Sequence, residues 1–148
     1  EDIELVIAGR LDEPDYIDRM KQQAIKGGIG ERLHILGPVS EGEKGWYFQN
    51  CLAFVHPSLA EGFGAPVVEV MQFGKPLFLS SLTSLPEIGG NAAFYFSSFN
   101  PEHMQRVFNE GMIRYEKEKM AQKIISQGSQ FDWNNKAKEY LKVYQSLF

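Results

Sequence analysis

CLAFVHPSLAEGFGAPVVEVMQFGKP, running from Cys51 to Pro76, is the stretch that decides the fold. It divides into a strand, a glycine loop and a helix. Cys51 to His56 is a short, mostly apolar run without alternation, stopped by Pro57, which suits a parallel strand covered on both faces. Gly62 and Gly64 follow, then Pro66 where a first helical turn would begin, a place suited to its fixed φ and missing donor. Gly74 should end the helix, and Pro76 prevents any continuation.

Such a turn leaves the first N–H groups of the helix unpaired above the sheet, and glycines let a ligand come close to them. That makes an anion site, most naturally for phosphate. The loop is neither a dinucleotide fingerprint nor a P-loop, because no Lys-Ser or Lys-Thr pair follows it. Two carboxylates sharpen the reading. Glu69 is the only ionisable group between Glu61 and Lys75, in a helix whose other members are Val67, Val68, Val70, Met71, Gln72 and Phe73. A helix apolar on nearly every side is buried, and a carboxylate there is costly unless it finds donors. Read blandly, Glu69 lies in the first turn and favours the positive helix end. Read functionally, it accepts from a ribose diol while the loop amides hold phosphates. Glu61 would then face the other end of the same ligand, although spacing alone equally allows a solvated loop acid.

The run Glu61-Gly62-Phe63-Gly64-Ala65-Pro66-Val67-Val68-Glu69-Val70-Met71, with Gly74 and Pro76, closely resembles the signature of the retaining GT-B glycosyltransferases called glycosyl transferases group 1. In that family two glutamates separated by seven residues flank the Gly-Phe-Gly loop of the C-terminal, nucleotide-sugar-binding domain. The likeness extends to Val55–Ser58, to Ser84-Leu85-Pro86-Glu87 and to Phe131-Asp132-Trp133, and so covers nearly the whole chain. Val70 stands where alanine is usual, and Gln72 and Phe73 replace small residues; these departures bear on helix packing more than on chemistry. The resemblance implies that Glu61 contacts the donor sugar, that the backbone amides over Gly62, Phe63, Gly64, Ala65, Pro66 and Val67 neutralise the diphosphate, and that Glu69 binds the ribose. It also places the base against the backbone of the loop Gly37-Pro38-Val39, with Val39 as the candidate contact. No cofactor and no metal is implied beyond the donor itself, a UDP-, GDP- or ADP-sugar.

Composition narrows the class. The 148 residues suit one domain large enough for a core, and 43% hydrophobic residues agree with a soluble globular protein. The net charge of −4 and the absence of a basic block argue against a nucleic-acid surface. Acidity does not forbid phosphate binding, because a nest of amides can do that work. The single cysteine, Cys51, forms no internal disulfide and mildly favours a reducing compartment; its simplest role is a small core hydrophobe. No apolar run reaches the roughly twenty residues that span a bilayer. A cytoplasmic placement is expected, with peripheral membrane association left open for a full-length protein. The histidines stand singly at 34, 56 and 103, away from any acidic or cysteine cluster of metal-ligand spacing, and are structural or surface residues by default. His56 alone ends a strand near the glycine loop.

In chain order, Ile3 to Ala8 reads as a buried strand. Glu13-Pro14-Asp15 opens a helix with Ile17, Met20, Ala24 and Ile25 on one side. Leu33 to Leu36 is a second strand. Ser40 with Glu43 makes a capping box for a helix carrying Trp46, Tyr47 and Phe48 towards the core. Leu77 to Ser80 is a strand, Ser84 with Glu87 a second capping box, and Ala93 to Phe96 a last strand. From Asn100 and Pro101 the chain is helical, with breaks expected near Gly111 and Gly128, and the run Lys117 to Lys119 reads as a solvated helix face. Ala137, Tyr140, Leu141, Tyr144 and Phe148 share one face of the final helix. Strands alternating with helices imply parallel crossovers, hence an α/β, Rossmann-like three-layer domain with a mostly parallel sheet. In such sheets ligands bind beyond the carboxyl ends of strands, where Glu61 to Pro66 falls.

The resemblance further implies that residues 1–148 form a C-terminal donor domain truncated on its N-terminal side. The acceptor domain and a central first strand, whose loop supplies an arginine and a lysine, would lie outside it, and Arg10 is not that arginine. A missing central strand would leave edges that close by direct strand pairing or by self-association. The expected partners are the donor and, through the absent domain, a sugar or lipid-linked acceptor; the segment alone is not expected to turn over. The other reading is a nucleotide or nucleotide-sugar binding module without turnover. A dehydrogenase-type dinucleotide domain lacks its glycine fingerprint after the first strand.

Overall fold

The computed structural model describes residues 3–147. The chain forms two compact units, Glu1–Lys44 and Gly45–Phe148. Each unit is described by itself below. In the first, β1 (Leu5–Ala8) leads into α1 (Pro14–Lys26) and then β2 (Leu33–Gly37). Pro14 sits in the first turn of α1, where no intrahelical donor is needed. The strands are parallel, Leu5 opposite Leu33 and Ile7 opposite Ile35, with an irregularity between Ile7 and Ala8. The buried strand expected at Ile3 to Ala8 is shorter and largely exposed: Leu5 is 52% and Val6 39% accessible. β1 has one strand neighbour, and of α1 only Ala24 is buried, so there is too little apolar surface in this unit to cover it. Ile25, expected on the apolar face, is exposed.

The helix α2 (Glu41–Asn50) opens with the predicted capping box. The Ser40 amide and hydroxyl donate to Glu43 Oε2 at 2.8 and 2.7 Å, and the Glu43 amide donates back to Ser40 Oγ at 3.3 Å. Those donors hold the Glu43 carboxyl below its ordinary range. Of Trp46, Tyr47 and Phe48 only Phe48 is buried, and Trp46 is exposed. Consecutive helical residues are about 100° apart, so three in a row cannot share one face.

The second unit holds β3 (Phe54–His56), α3 (Ala65–Met71), β4 (Leu77–Ser80), α4 (Leu85–Gly89), β5 (Phe94–Phe96), α5 (Pro101–Glu118), α6 (Ala121–Gly128) and α7 (Trp133–Gln145). Its sheet is parallel in the order β3-β4-β5. All four residues of β4 are fully buried, and Phe78 stacks with Phe94 and Phe96 and tilts against Phe108. β3 is an edge strand of this sheet. It is shorter than the predicted Cys51–His56 and is not covered on both faces, since Val55 is 37% accessible. Cys51 lies before it, half-buried, its thiol donating to the Phe48 carbonyl at 3.5 Å; burial pushes that thiol up. Pro57, which has no N–H, stops β3 after three residues.

Asn100 caps α5 as expected, its Oδ1 accepting from the His103 amide at 3.1 Å. The break predicted at Gly111 is absent. α5 runs straight through, and Gly111 is a packing residue: a Cβ there would lie 2.5 Å from Phe78 Cε1 and 2.9 Å from Phe94 Cγ. α5 ends instead at Lys119, a non-glycine residue at φ 51°, while Gly128 closes α6 as expected. The neighbouring Glu118 accepts from Arg114 at 2.9 Å on the exposed face.

Two outcomes follow from this packing. Gly111→Ala gains about 1 kcal/mol of helix propensity but must displace Phe78 or α5, at a cost of about 1–3 kcal/mol, so its denaturation midpoint should fall. Tyr95 donates to the Gly90 carbonyl at 2.7 Å, and burial pushes its hydroxyl up to about 12 from 10.0. The folded state therefore holds the proton more tightly: stability is fully present below pH ~10 and is lost as pH rises towards about 12. Tyr95→Phe should lack that alkaline component while losing about 1 kcal/mol at neutral pH, both read by urea denaturation at a series of pH values.

Candidate functional site

Residues 57–64 connect β3 to α3 without regular structure, so their shape must come from side chains. Three hydroxyls beyond the end of β4 and at its last residue supply it. Ser80, the one buried polar residue of the described core, donates to the Ser58 carbonyl at 2.6 Å. The Glu61 amide donates to Thr83 Oγ1 at 3.1 Å. Ser84 Oγ donates to the carbonyls of Phe63 at 3.2 Å and Glu61 at 3.4 Å. Thr83 takes φ 52°, a left-handed conformation that costs a β-branched residue about 1–2 kcal/mol and is sustained where surrounding contacts fix it. The second predicted capping box does not form. Ser84 makes no cap bond, because its hydroxyl is turned to the glycine loop instead.

The carboxylate of Glu61 is held as well. Glu61 Oε1 lies 2.8 Å from Nε2 of His56, both side chains being about a quarter exposed. The His56 ring stacks on Phe54 at 5.8 Å, and Pro57 restricts His56 to extended backbone. Default placement of this histidine as a bystander therefore missed a partner of Glu61. The signals available were its position at the strand end and the spacing of five residues to Glu61.

The two loop glycines differ in kind. Gly64 has φ 87°, and a Cβ there would lie 3.1 Å from Leu85 Cδ2, so glycine is demanded by the fold. Gly62 is outside the left-handed region, and a Cβ there would meet nothing within 4 Å. Ala65 and Pro66 open α3, and the Val67 amide donates back to the Gly64 carbonyl at 2.9 Å. Val67 is fully buried, and Pro66 has no N–H. The amides not engaged in this way are those of Gly62, Phe63, Gly64 and Ala65. Phe63 is 42% accessible and lies 6.0 Å from the ring of Phe131 and 6.5 Å from that of Trp133. Between those two residues Asp132 caps α7 by accepting from the Asn134 amide at 3.1 Å, which gives each member of the Phe-Asp-Trp run a place.

Glu69 is the fifth residue of α3, beyond its first turn, and is half-buried. The helix-end explanation loses force accordingly, since the dipole effect falls off within the first turn. Val70 packs fully buried, whereas Gln72 and Phe73 lie at the surface in the turn that ends at Gly74, φ 63°. α3 therefore ends three residues before the predicted Gly74. The structure gathers Glu61, Gly62, Phe63, Gly64, Ala65, Pro66, Val67 and Glu69 on one loop and helix of the second unit; Val39 lies in the first unit, half-buried between β2 and α2. Arg10, also in the first unit, is exposed and paired with Asp12 at 3.0 Å. No group of three metal-ligating side chains occurs among the described residues.

Known proteins share this organisation. Residues 1–131 match the family model described as glycosyl transferases group 1. The chain is 28% identical over 148 residues to the O-antigen chain mannosyltransferase B of Escherichia coli, covering 97% of this chain and 37% of that protein. It is 25% identical over 133 residues to the O-antigen chain mannosyltransferase RfbU of Salmonella typhimurium, covering 81% and 37% respectively. This chain therefore spans little more than a third of the relatives' length. Among solved structures, HepE of Anabaena in complex with UDP-glucose superposes with a TM-score of 0.84 at 22% identity, covering 97% of this chain and 41% of that one. Sucrose-phosphate synthase of Thermosynechococcus elongatus gives 0.77 at 19% identity, covering 98% and 38%. At those identities the likeness shows the fold, the Rossmann-like domain of GT-B glycosyltransferases, while the match over 131 of 148 residues places this chain in the glycosyl transferases group 1 family.

Proposed function

We propose that this chain binds a nucleoside diphosphate sugar and that the protein containing it transfers the sugar to an acceptor with retention of anomeric configuration. The observation that carries this is Gly62. Neither torsion nor packing within the chain asks for glycine there, while the next residue but one, Gly64, is demanded by both. A glycine with no internal reason is accounted for by a ligand that must come close to the backbone. The adjoining amides of Phe63, Gly64 and Ala65 are donors of the kind a diphosphate accepts from. Glu61, fixed at its amide, carbonyl and carboxylate, stands at one end of that run and accepts from hydroxyls of the donor sugar. Glu69 accepts from the ribose.

Stabilising the departing diphosphate is the chemical centre of the proposal. Negative charge grows on the leaving group as the glycosidic bond breaks, and preorganised amides aimed at it strengthen in the transition state. The donor is itself the source of the reacting group, and where the amides carry the charge of the leaving group no metal is required. The relatives' names favour a hexose, mannose among them, and the HepE complex favours UDP as one base to try.

The test is thermal shift and calorimetric titration of this chain with UDP, GDP, ADP and their hexose conjugates. One nucleotide series should raise Tm with the logarithm of its concentration above Kd, the stabilisation reaching about 2.7 kcal/mol at a hundredfold excess over Kd. Gly62→Ala should keep the apo Tm and lose most of the shift, whereas Gly64→Ala should lower the apo Tm itself, by about 1 kcal/mol or more. Glu69→Ala should weaken nucleotide binding by about tenfold or more. Equal ligand shifts in wild type and Gly62→Ala would remove the basis of the assignment. In the full-length protein, Glu61→Ala should abolish transfer while sparing nucleotide affinity; transfer that survives the substitution would remove Glu61 from the chemistry.

A further inference from the structure

The contact between His56 and Glu61 has more geometry than the loop needs. The backbone at Glu61 is already fastened on both sides, its amide to Thr83 Oγ1 at 3.1 Å and its carbonyl to Ser84 Oγ at 3.4 Å. Removing the 2.8 Å contact to His56 would leave those two ties in place and release only the carboxylate. The imidazole is in turn set by two constraints that have nothing to do with Glu61: stacking on Phe54 with rings 12° from parallel, and the proline that follows it. A ring held from behind, offering one nitrogen to one oxygen of a carboxylate about a quarter exposed, acts on the orientation of that carboxylate.

We propose that His56 is a positioning residue for Glu61. Its Nε2–H donates to Oε1 and fixes the glutamate in one rotamer, leaving Oε2 to accept from a hydroxyl of the donor's sugar ring. This rests on the reading of Glu61 as the sugar contact. A free glutamate side chain has three rotatable bonds to immobilise when a ligand arrives, and holding them in advance removes that entropic loss from the binding step. The gain applies only to ligands that carry the sugar. Nucleotides that end at the diphosphate are held by the amides and Glu69 and receive nothing from it. His56 thus acts on discrimination between a nucleoside diphosphate and its hexose conjugate, which a donor site needs in order to release its product.

The experiment is a titration of this chain with the nucleoside diphosphate and with its hexose conjugate, in wild type, Glu61→Gln, His56→Phe, His56→Gln and the double variant His56→Phe/Glu61→Gln. Wild type should prefer the conjugate. His56→Phe keeps the ring stacked on Phe54 but has no donor. It should lose about tenfold of that preference, the worth of a hydrogen bond to a charged group, while its affinity for the bare nucleotide stays within about twofold. His56→Gln, which can again donate to Oε1, should recover most of the preference. The double variant should be no worse than the more affected single, because both substitutions break one device. The proposal is overturned if His56→Phe retains the preference, if it weakens bare nucleotide and conjugate alike, if glutamine does not rescue, or if the two losses add. A wild type that binds neither ligand would overturn the donor-site reading instead; a sugar preference lost in Glu61→Gln but kept in His56→Phe would overturn the positioning role alone.

Discussion

The hydroxyl of Ser80 is the constraint on which the site rests. It is fully buried at the end of a wholly buried strand, and it donates to the Ser58 carbonyl at 2.6 Å. A buried hydroxyl without a partner costs about 1–3 kcal/mol, so the core of the second unit and the course of the loop after β3 satisfy each other or neither is stable. Thr83 and Ser84 then extend the same attachment along residues 61–63. The loop bearing Glu61 is thus built on β4, the best-covered strand, rather than on β3, from which it emerges and which is an edge. Parallel sheets place such loops side by side at the carboxyl ends of their strands, and here the neighbour supplies the rigidity that the loop's own sequence lacks.

What the sequence made legible was local. Ser40 with Glu43, Asn100 as a cap, the short Leu77 to Ser80 strand and the glycine-proline entry to α3 each depend on residues within a few positions of one another, and each is found. What it hid depends on distant partners. Ser84 and Glu87 have the same spacing as Ser40 and Glu43, yet the Ser84 hydroxyl goes to carbonyls 21 and 23 residues away. Gly111 has the appearance of a helix break and is a point of contact with Phe78 and Phe94, far off in the chain. The true end of α5 falls at a lysine, where nothing in residue type announces a left-handed backbone. Exposure of β1 was likewise invisible, since an apolar strand reads as buried whatever stands beside it.

The site divides along the same line. Glu61, the glycines and Glu69 were readable because their spacing carries the family pattern. Their supports were not, because Ser80, Thr83 and Ser84 sit on another crossover, and His56 reads as an ordinary strand end. Nor does spacing tell apart the two loop glycines: one answers to torsion and to Leu85, the other to nothing inside the chain. That division between a glycine the fold demands and one it does not depends on backbone torsion and on neighbours distant in the chain.

The contact between α3 and α6 has a mechanical meaning. A Cβ at Gly74 would lie 3.0 Å from the Ala121 carbonyl oxygen, and one at Gly128 would lie 2.7 Å from Met71 Cβ, so both ends of α6 abut the end of α3 almost backbone to backbone. Side chains at helix contacts usually act as compliant spacers on both partners; here each contact has a glycine on one side, leaving only Ala121 or Met71 to yield. A tilt of the helix that follows the glycine loop therefore has little slack to cross before it bears on α6.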